Sequence, residues 1–315
     1  MFSKYDYFLI DLWGVVHDGL ELYPGVIEAL RALNAANKKI IFISNAPRRA
    51  EVVQAILAKF RIIPGMYEAV ITSGEVAYLE LKTNPDLYSD RWMEKRYFYL
   101  GPDKDANVLM GLGMQRIGDP LKAAFICCTG FEEDNQTAKD ILPLLQRIAA
   151  AKVPLLCLNP DMLVVRQSKN AEPPEKILCA GEIAKAHIGL GGKVHYFGKP
   201  YARIYDHSIK ILERSEGKPI DKSKILAIGD GIETDIKGAA AYGIDSLFIT
   251  GGILAAQLAT QLAGELKAGA GAGGLASPSN LPPSILAKIL DKVFSSYKVT
   301  PTYTLSGLGE INESS

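Results

Sequence analysis

The 315 residues are 48% apolar and 22% charged, with 35 Lys+Arg against 35 Asp+Glu, an ordinary globular composition with length for about two domains. That balance supplies no global field for nucleic acid or an anionic membrane, and no apolar run approaches the ~20 residues of a membrane span. Neither is therefore an expected partner, and with no signal-type stretch at the N-terminus the expected compartment is the cytoplasm.

The first predicted element is an apolar strand over residues 7–11, Tyr7-Phe8-Leu9-Ile10-Asp11, which carries a carboxylate at its C-terminal tip. Pro24 opens a helix with Val26, Ile27, Leu30 and Leu33 on one stripe and Glu28 and Arg31 off it. A second strand, Lys39-Ile40-Ile41-Phe42-Ile43, ends in Ser44-Asn45, and a second amphipathic helix follows with Val52, Val53, Ile56, Leu57 and Phe60. A third short strand runs Ala69-Val70-Ile71-Thr72-Ser73-Gly74, with a turn or cap at its end. Continuous apolar strands alternating with helices predict an α/β fold, a Rossmann-like parallel sheet with helices on both faces. Polar residues gather at the C-terminal strand ends, where such sheets bind ligands.

Lys82-Thr83-Asn84-Pro85-Asp86 reads as a linker, and strand candidates at 96–100, 123–128 and 153–158 alternate with helical stretches beyond it. The first pattern then resumes, with a helix bearing Ile204, Tyr205, Ile209 and Leu212 and a strand over Ile225–Ile228 leading into Gly229-Asp230. One domain inserted in another explains this order: a core of residues 1–82 and 197–315, and an α/β cap of residues 83–196. The Gly- and Ala-rich run 268–274 with Ser277, Pro278 and Ser279 reads as a surface loop, and a helix from Pro283 to about Ser296 presents Ile285, Leu286, Ile289, Leu290, Val293 and Phe294 for docking on the core. The tail from about residue 308 has too few apolar residues to pack. Cys127, Cys128, Cys157 and Cys179 contain no C-x-x-C pair and read as reduced core hydrophobes, with Cys127 and Cys128 on opposite faces of one strand.

Asp11, Ser44-Asn45, Lys199 in Gly198-Lys199-Pro200, and Asp230 with Asp235 in Gly229-Asp230-Gly231-Ile232-Glu233-Thr234-Asp235 stand at strand ends or in an adjoining turn. In this order, with an insertion between the second and third clusters, they resemble the haloacid dehalogenase-like (HAD) hydrolase superfamily. The insertion point, with Asn159-Pro160-Asp161, resembles subclass IIA, which contains sugar-phosphate, nucleotide and 4-nitrophenylphosphate phosphatases. The resemblance implies that Asp11 attacks phosphorus and forms an aspartyl-phosphate. It implies Mg²⁺ held by Asp11, Asp230 and the main-chain carbonyl of Trp13, with Asp235 orienting the metal or its waters. Ser44 and adjacent N–H groups, including that of Asn45, hold phosphoryl oxygens and Lys199 adds positive charge. In the cap, Asn159 and Asp161 are candidate substrate-binding residues, their alternative being an Asx-Pro turn. The implied partner is a small phosphorylated metabolite, and caps of this type often contribute to homodimers.

Other motifs fail. Gly189-Leu190-Gly191-Gly192-Lys193 lacks the first glycine and final hydroxyl of a phosphate loop, and Gly111-Leu112-Gly113 lacks a third glycine. His17, His187, His195 and His207 show no zinc spacing, and His195 reads as structural.

The chain departs from the superfamily's Asp-x-Asp motif at Trp13, where phosphatases carry the carboxylate that protonates the leaving oxygen. Indole has no proton to exchange near neutrality. Three readings stay open: a Mg²⁺-dependent phosphatase that acts on activated esters or recruits His17 or Asp18, a catalytically impaired protein that binds a phosphorylated ligand or partner, and a metal-free dehalogenase. The retained Asp230 and Asp235 favour the first.

Overall fold

The computed structural model describes residues 2–166, 175–252 and 283–311. In chain order its strands are β1 (Tyr7–Asp11), β2 (Lys39–Ser44), β3 (Ala69–Thr72), β4 (Arg96–Leu100), β5 (Gln115–Arg116), β6 (Phe125–Cys128), β7 (Leu155–Cys157), β8 (Leu163–Arg166), β9 (Glu175–Leu178), β10 (Val194–Tyr196), β11 (Ile225–Gly229), β12 (Asp245–Ile249) and β13 (Tyr303–Leu305). Its helices are α1 (Val26–Ala35), α2 (Ala50–Lys59), α3 (Ser73–Thr83), α4 (Leu142–Ala150), α5 (Ala180–Gly189), α6 (Ala202–Glu216), α7 (Lys237–Tyr242) and α8 (Pro283–Tyr297). By which residues touch which, the chain divides into two compact units: Met1–Ile43 with Phe60–Ala69 and Ile209–Ser315, and Ser44–Lys59 with Val70–Ser208. Residues 44–59, 70–82 and 197–208, grouped by sequence with the core, fall in the second unit together with the insertion.

In the first unit the strands lie in the order β13-β12-β11-β1-β2, each neighbouring pair parallel. Every residue of β1 and β11 is buried, which is why both read as unbroken apolar runs. From β1 the chain passes to β2 on one side and comes back through β11 on the other. β1 therefore stands where the strand order reverses, and at such a point the C-terminal strand ends open a crevice. Asp11 closes β1 there.

The α8 helix docks as its apolar stripe predicts: Ile289, Leu290, Val293 and Phe294 bury against Ile232, Ile236 and Phe248. Two expectations are corrected. The first helix starts at Val26, because Gly25 adopts φ +75 and breaks the helical path after Pro24. The chain near 308 packs after all: Leu308 is fully buried and Ile311 is 3% exposed, on a 3-10 turn at Leu308–Glu310 where Gly309 lies against Gly25 too closely for a Cβ. Two apolar residues suffice because α1 supplies the surface they cover. Residues 268–274, 277–279 and 312–315 lie outside the described residues.

The second unit has its own parallel sheet, β10-β7-β6-β4-β5, and an antiparallel pair, β8-β9. Residues of α4 and α5, among them Leu145, Ile148, Ile183 and Ala184, close one face over Ile126, Cys128, Leu155 and Cys157. The expected strands at 96–100, 123–128 and 153–158 are β4, β6 and β7; the short β5, β8 and β9, most of whose residues are partly or fully exposed, were not among those expected. All four cysteines are buried and free, and burial pushes the Cys128 thiol up to about 12, so they behave as core hydrophobes. The third strand stops at Thr72, short of the expected Gly74, because the Thr72 hydroxyl accepts from the Glu75 N–H at 2.9 Å and starts α3 at Ser73.

Leu308→Ala removes a fully buried side chain and is expected to cost about 2–5 kcal/mol in urea unfolding. An unchanged midpoint would show that this turn does not contribute to the core.

Candidate active site

Parallel neighbours in register end together. Because Ile10 pairs with Ile228, the chain reaches Asp11 at the tip of β1 beside Gly229, the last residue of β11, and Asp230 is next. Asp235 comes back to the same place through a tight turn. The Ile236 N–H reaches five residues back to the Gly231 carbonyl (3.1 Å), so the helix begins with a π-type turn over Ile232–Ile236. Within that turn Asp235 Oδ2 accepts from the Gly231 N–H at 3.1 Å and from the Thr234 hydroxyl at 3.3 Å. The result is one cluster: an oxygen of each of Asp11, Asp230 and Asp235 lies within 4.8 Å of the other two, and the residues are 6%, 4% and 4% exposed.

Asp230 has a seat built for it. A Cβ on Gly14 would lie 1.9 Å from Asp230 Oδ2, and one on Gly252 would lie 2.2 Å from the same atom. Gly14 also has φ +87, so two glycines from different strand ends leave the space that the carboxylate occupies. Three anions this close, away from water, repel one another strongly. Hard oxygen donors in such a group suit a divalent cation of the Mg²⁺ or Ca²⁺ type, and the donor set passes that test of fit.

Trp13 stands two residues after Asp11 and heads a compact loop. The His17 carbonyl accepts from the Gly14 N–H, and the Leu12 carbonyl accepts from the N–H groups of Val16 and His17. The Trp13 indole meets the His17 ring edge-on at 5.7 Å, and His17 stacks on Phe60 at 5.3 Å. The two residues named as stand-ins for the missing acid are already engaged here. His17 Nδ1 accepts from the Gly19 N–H at 3.0 Å, and burial depresses this imidazole to about 4. Asp18 Oδ1 accepts from the N–H groups of Leu20 and Glu21, both at 2.8 Å.

The remaining named residues lie in the second unit, where four of them form one network. Asn45 Nδ2 donates to Asp161 Oδ1 at 2.8 Å and to the Lys199 carbonyl at 3.1 Å, and Asn45 Oδ1 accepts from the Lys199 N–H at 2.7 Å. Asn159 Oδ1 accepts from the Asp161 N–H at 3.2 Å, an Asx turn. Ser44 closes β2, is buried, and its hydroxyl accepts from the Ala46 N–H at 3.2 Å. Lys199 is 2% exposed.

Sequence reasoning missed Gly14, Gly252 and Tyr23. Tyr23 is half-buried, and burial with the negative charges of Asp230 and Asp18 pushes its phenol up to about 12, so its hydroxyl stays protonated at neutral pH. Thr250-Gly251-Gly252 after an apolar strand was the signal for the second glycine; for Tyr23 no sequence signal existed.

The protein is thus a parallel α/β protein with a buried aspartate cluster, a donor set that could hold a cation, at the reversal point of its sheet. Two family models match: one described as haloacid dehalogenase-like hydrolase over residues 8–115, and one described as HAD-hydrolase-like over residues 196–268. The structure of a haloacid dehalogenase-like hydrolase from Brucella suis 1330 is 35% identical with TM-score 0.71, covering 80% of this chain and 88% of that one. The sugar-phosphatase AraL of Bacillus subtilis is 27% identical over 78% of this chain and 82% of its own length. A glycerol phosphate phosphatase from Mycobacterium tuberculosis, solved with calcium, has the same fold at 19% identity with TM-score 0.64, covering 99% of this chain and 76% of that one. The chain belongs to the haloacid dehalogenase-like hydrolase family.

Burial holds His17 and His195 near 4, His195 with added repulsion from Lys193 and Arg203. Both are neutral in the fold and protonate near 6.5 once unfolded. Stability is therefore full above about pH 6.5 and falls as pH drops towards 4. Proton NMR of the two rings is expected to show no titration above pH 5; midpoints near 6.5 would contradict their burial.

Proposed function

We propose that this hydrolase is a phosphatase of small phosphorylated metabolites, with Asp11 as nucleophile and Mg²⁺ as its cation. The observation that carries this reading is the buried Asp11, Asp230 and Asp235 cluster. The family, the sugar phosphatase among its relatives and the calcium in a neighbour's structure support it. Asp11 and Asp230 would hold the cation, with the Trp13 main-chain carbonyl, and Asp235 would orient it through its waters. When bound, the cation neutralises charge between carboxylates and phosphate.

In the first step an Asp11 carboxylate oxygen bonds to phosphorus as the bond to the leaving oxygen breaks, giving an aspartyl-phosphate and an alkoxide or phenoxide. Water then attacks the aspartyl-phosphate, and inorganic phosphate leaves with Asp11 regenerated. For Ser44, the Asn45 N–H and Lys199 as holders of the phosphoryl oxygens the proposal rests on motif order. A homodimer and a cytoplasmic location belong to the same reading.

Trp13 sets the substrate preference. A leaving oxygen that takes no proton from position 13 must leave as a stable anion or find its proton in water, which disfavours simple alkyl esters and favours acyl, enol and aryl phosphates. General acid help of this kind is worth about 10² to 10⁴ in rate. The engagement of His17 and Asp18 within their own loop supports the view that neither replaces it.

With Mg²⁺, 4-nitrophenyl phosphate or an acyl phosphate is expected to turn over, and Asp11→Asn or chelation by EDTA to reduce turnover to background. Turnover that survives both would exclude the mechanism, and halide release without metal would indicate the dehalogenase. A second comparison concerns the leaving group. Trp13→Asp is expected to raise kcat on alkyl sugar phosphates by about 10² to 10⁴ and on 4-nitrophenyl phosphate far less. A wild type inert on every ester, with activity appearing only in Trp13→Asp, would instead mark a binding protein with a degenerate site.

A further inference from the structure

Asp161 was expected to meet substrate. The geometry points elsewhere: we infer that Asp161 is a positioning residue for Lys199, acting through Asn45, an assignment that rests on the phosphatase reading only for the role of Lys199.

The contacts determine how the Asn45 amide must lie. A carboxylate accepts and cannot donate, so the group of Asn45 that faces Asp161 Oδ1 at 2.8 Å is the NH₂. A peptide N–H donates and cannot accept, so the group facing the Lys199 N–H at 2.7 Å is the amide oxygen. The same NH₂ reaches the Lys199 carbonyl at 3.1 Å. Asn45 thus pairs with both main-chain groups of Lys199 as a strand neighbour would, and a flipped amide would set like against like at all three contacts. Asn45 is 4% exposed, so no water relieves an error there. The hydrogen bond to Asp161 is the charge-assisted one of the three and the strongest of them.

Asp161 is itself fixed. Its N–H is held by Asn159 Oδ1, and its carbonyl accepts from the Gly181 N–H at 3.1 Å, at the start of α5. At Gly181 a Cβ would lie 2.3 Å from the Pro160 carbonyl oxygen, so the turn sits directly against that helix. On the far side, a Cβ on Gly198 would lie 2.3 Å from Asn45 Oδ1, so the peptide entering Lys199 is also held at closest approach. Asp161 thereby reaches the Lys199 main chain, 38 residues further on, by way of an amide 116 residues before it.

Asp161→Asn keeps the shape and removes the charge. Lys199 amide hydrogen exchange, read by NMR on the full chain, is expected to be strongly protected in the wild type and to accelerate about tenfold in the variant, as for the loss of one charge-assisted bond. With an aryl phosphate, kcat is expected to fall about 10- to 100-fold while KM moves less than about twofold, as misplacement predicts. Asp161→Ser provides the same readouts if Asp161→Asn does not fold. A raised KM with unchanged kcat and unchanged exchange would make Asp161 a substrate ligand and overturn the assignment, as would an unprotected Lys199 amide in the wild type. If the wild type hydrolyses no phosphate ester, the phosphatase reading fails alone; accelerated Lys199 exchange in the variant still supports the positioning role, and unchanged exchange overturns it.

Discussion

Mutual repulsion among three buried carboxylates is the constraint on which the rest of this molecule turns. Asp11, Asp230 and Asp235 present oxygens within 4.8 Å of one another at the sheet's reversal point. A protein that only needed a stable core would place apolar groups there, since close like charges away from water are costly unless a counter-charge joins them. Much nearby structure serves this arrangement. The registered β1 and β11 bring two of the carboxylates side by side, the π-type turn returns the third, and Gly14 and Gly252 leave the volume that Asp230 fills.

Against that cluster stands Trp13. The loop it heads is closed by main-chain hydrogen bonds and by the aromatic contacts of Trp13, His17 and Phe60. The residue is therefore part of a formed structure, and reverting it to aspartate would replace an indole packed on His17 with a charge. On the phosphatase reading, the chain keeps the carboxylates that would hold a cation while lacking, at position 13, a side chain that could protonate a leaving group. On that reading, leaving-group chemistry would be the axis along which its substrates divide.

How much of this could be read from the residues follows from where each signal resides. Asp11 was legible because four apolar strand positions end in one charge, and Asp235 because its spacing from Asp230 survives any detail of the turn. The docking of α8 was legible in its apolar stripe. Leu308 and Ile311 were not, since two apolar residues in a polar tail acquire meaning only from the surface of α1 opposite them. The short β5 and β9 were hidden by their exposed polar residues, and β8 by its length of four residues. The pairing of Asn45 with Asp161 and Lys199, across 116 and 154 residues, has no local pattern at all. Asn159 and Asp161 were legible as an Asx turn, whereas the bond from Asn45 to Asp161 was not.

The most direct measurement is a crystal structure of the protein with Mg²⁺ and beryllofluoride, a mimic of the phosphoryl group on a carboxylate. Beryllium bonded to an Asp11 oxygen, with Mg²⁺ ligated by Asp11 and Asp230, is the expected result. Beryllofluoride absent from Asp11 while Mg²⁺ is bound, or Mg²⁺ absent from the cluster at millimolar concentration, would contradict the assignment of Asp11 as the nucleophile of a cation-assisted phosphatase.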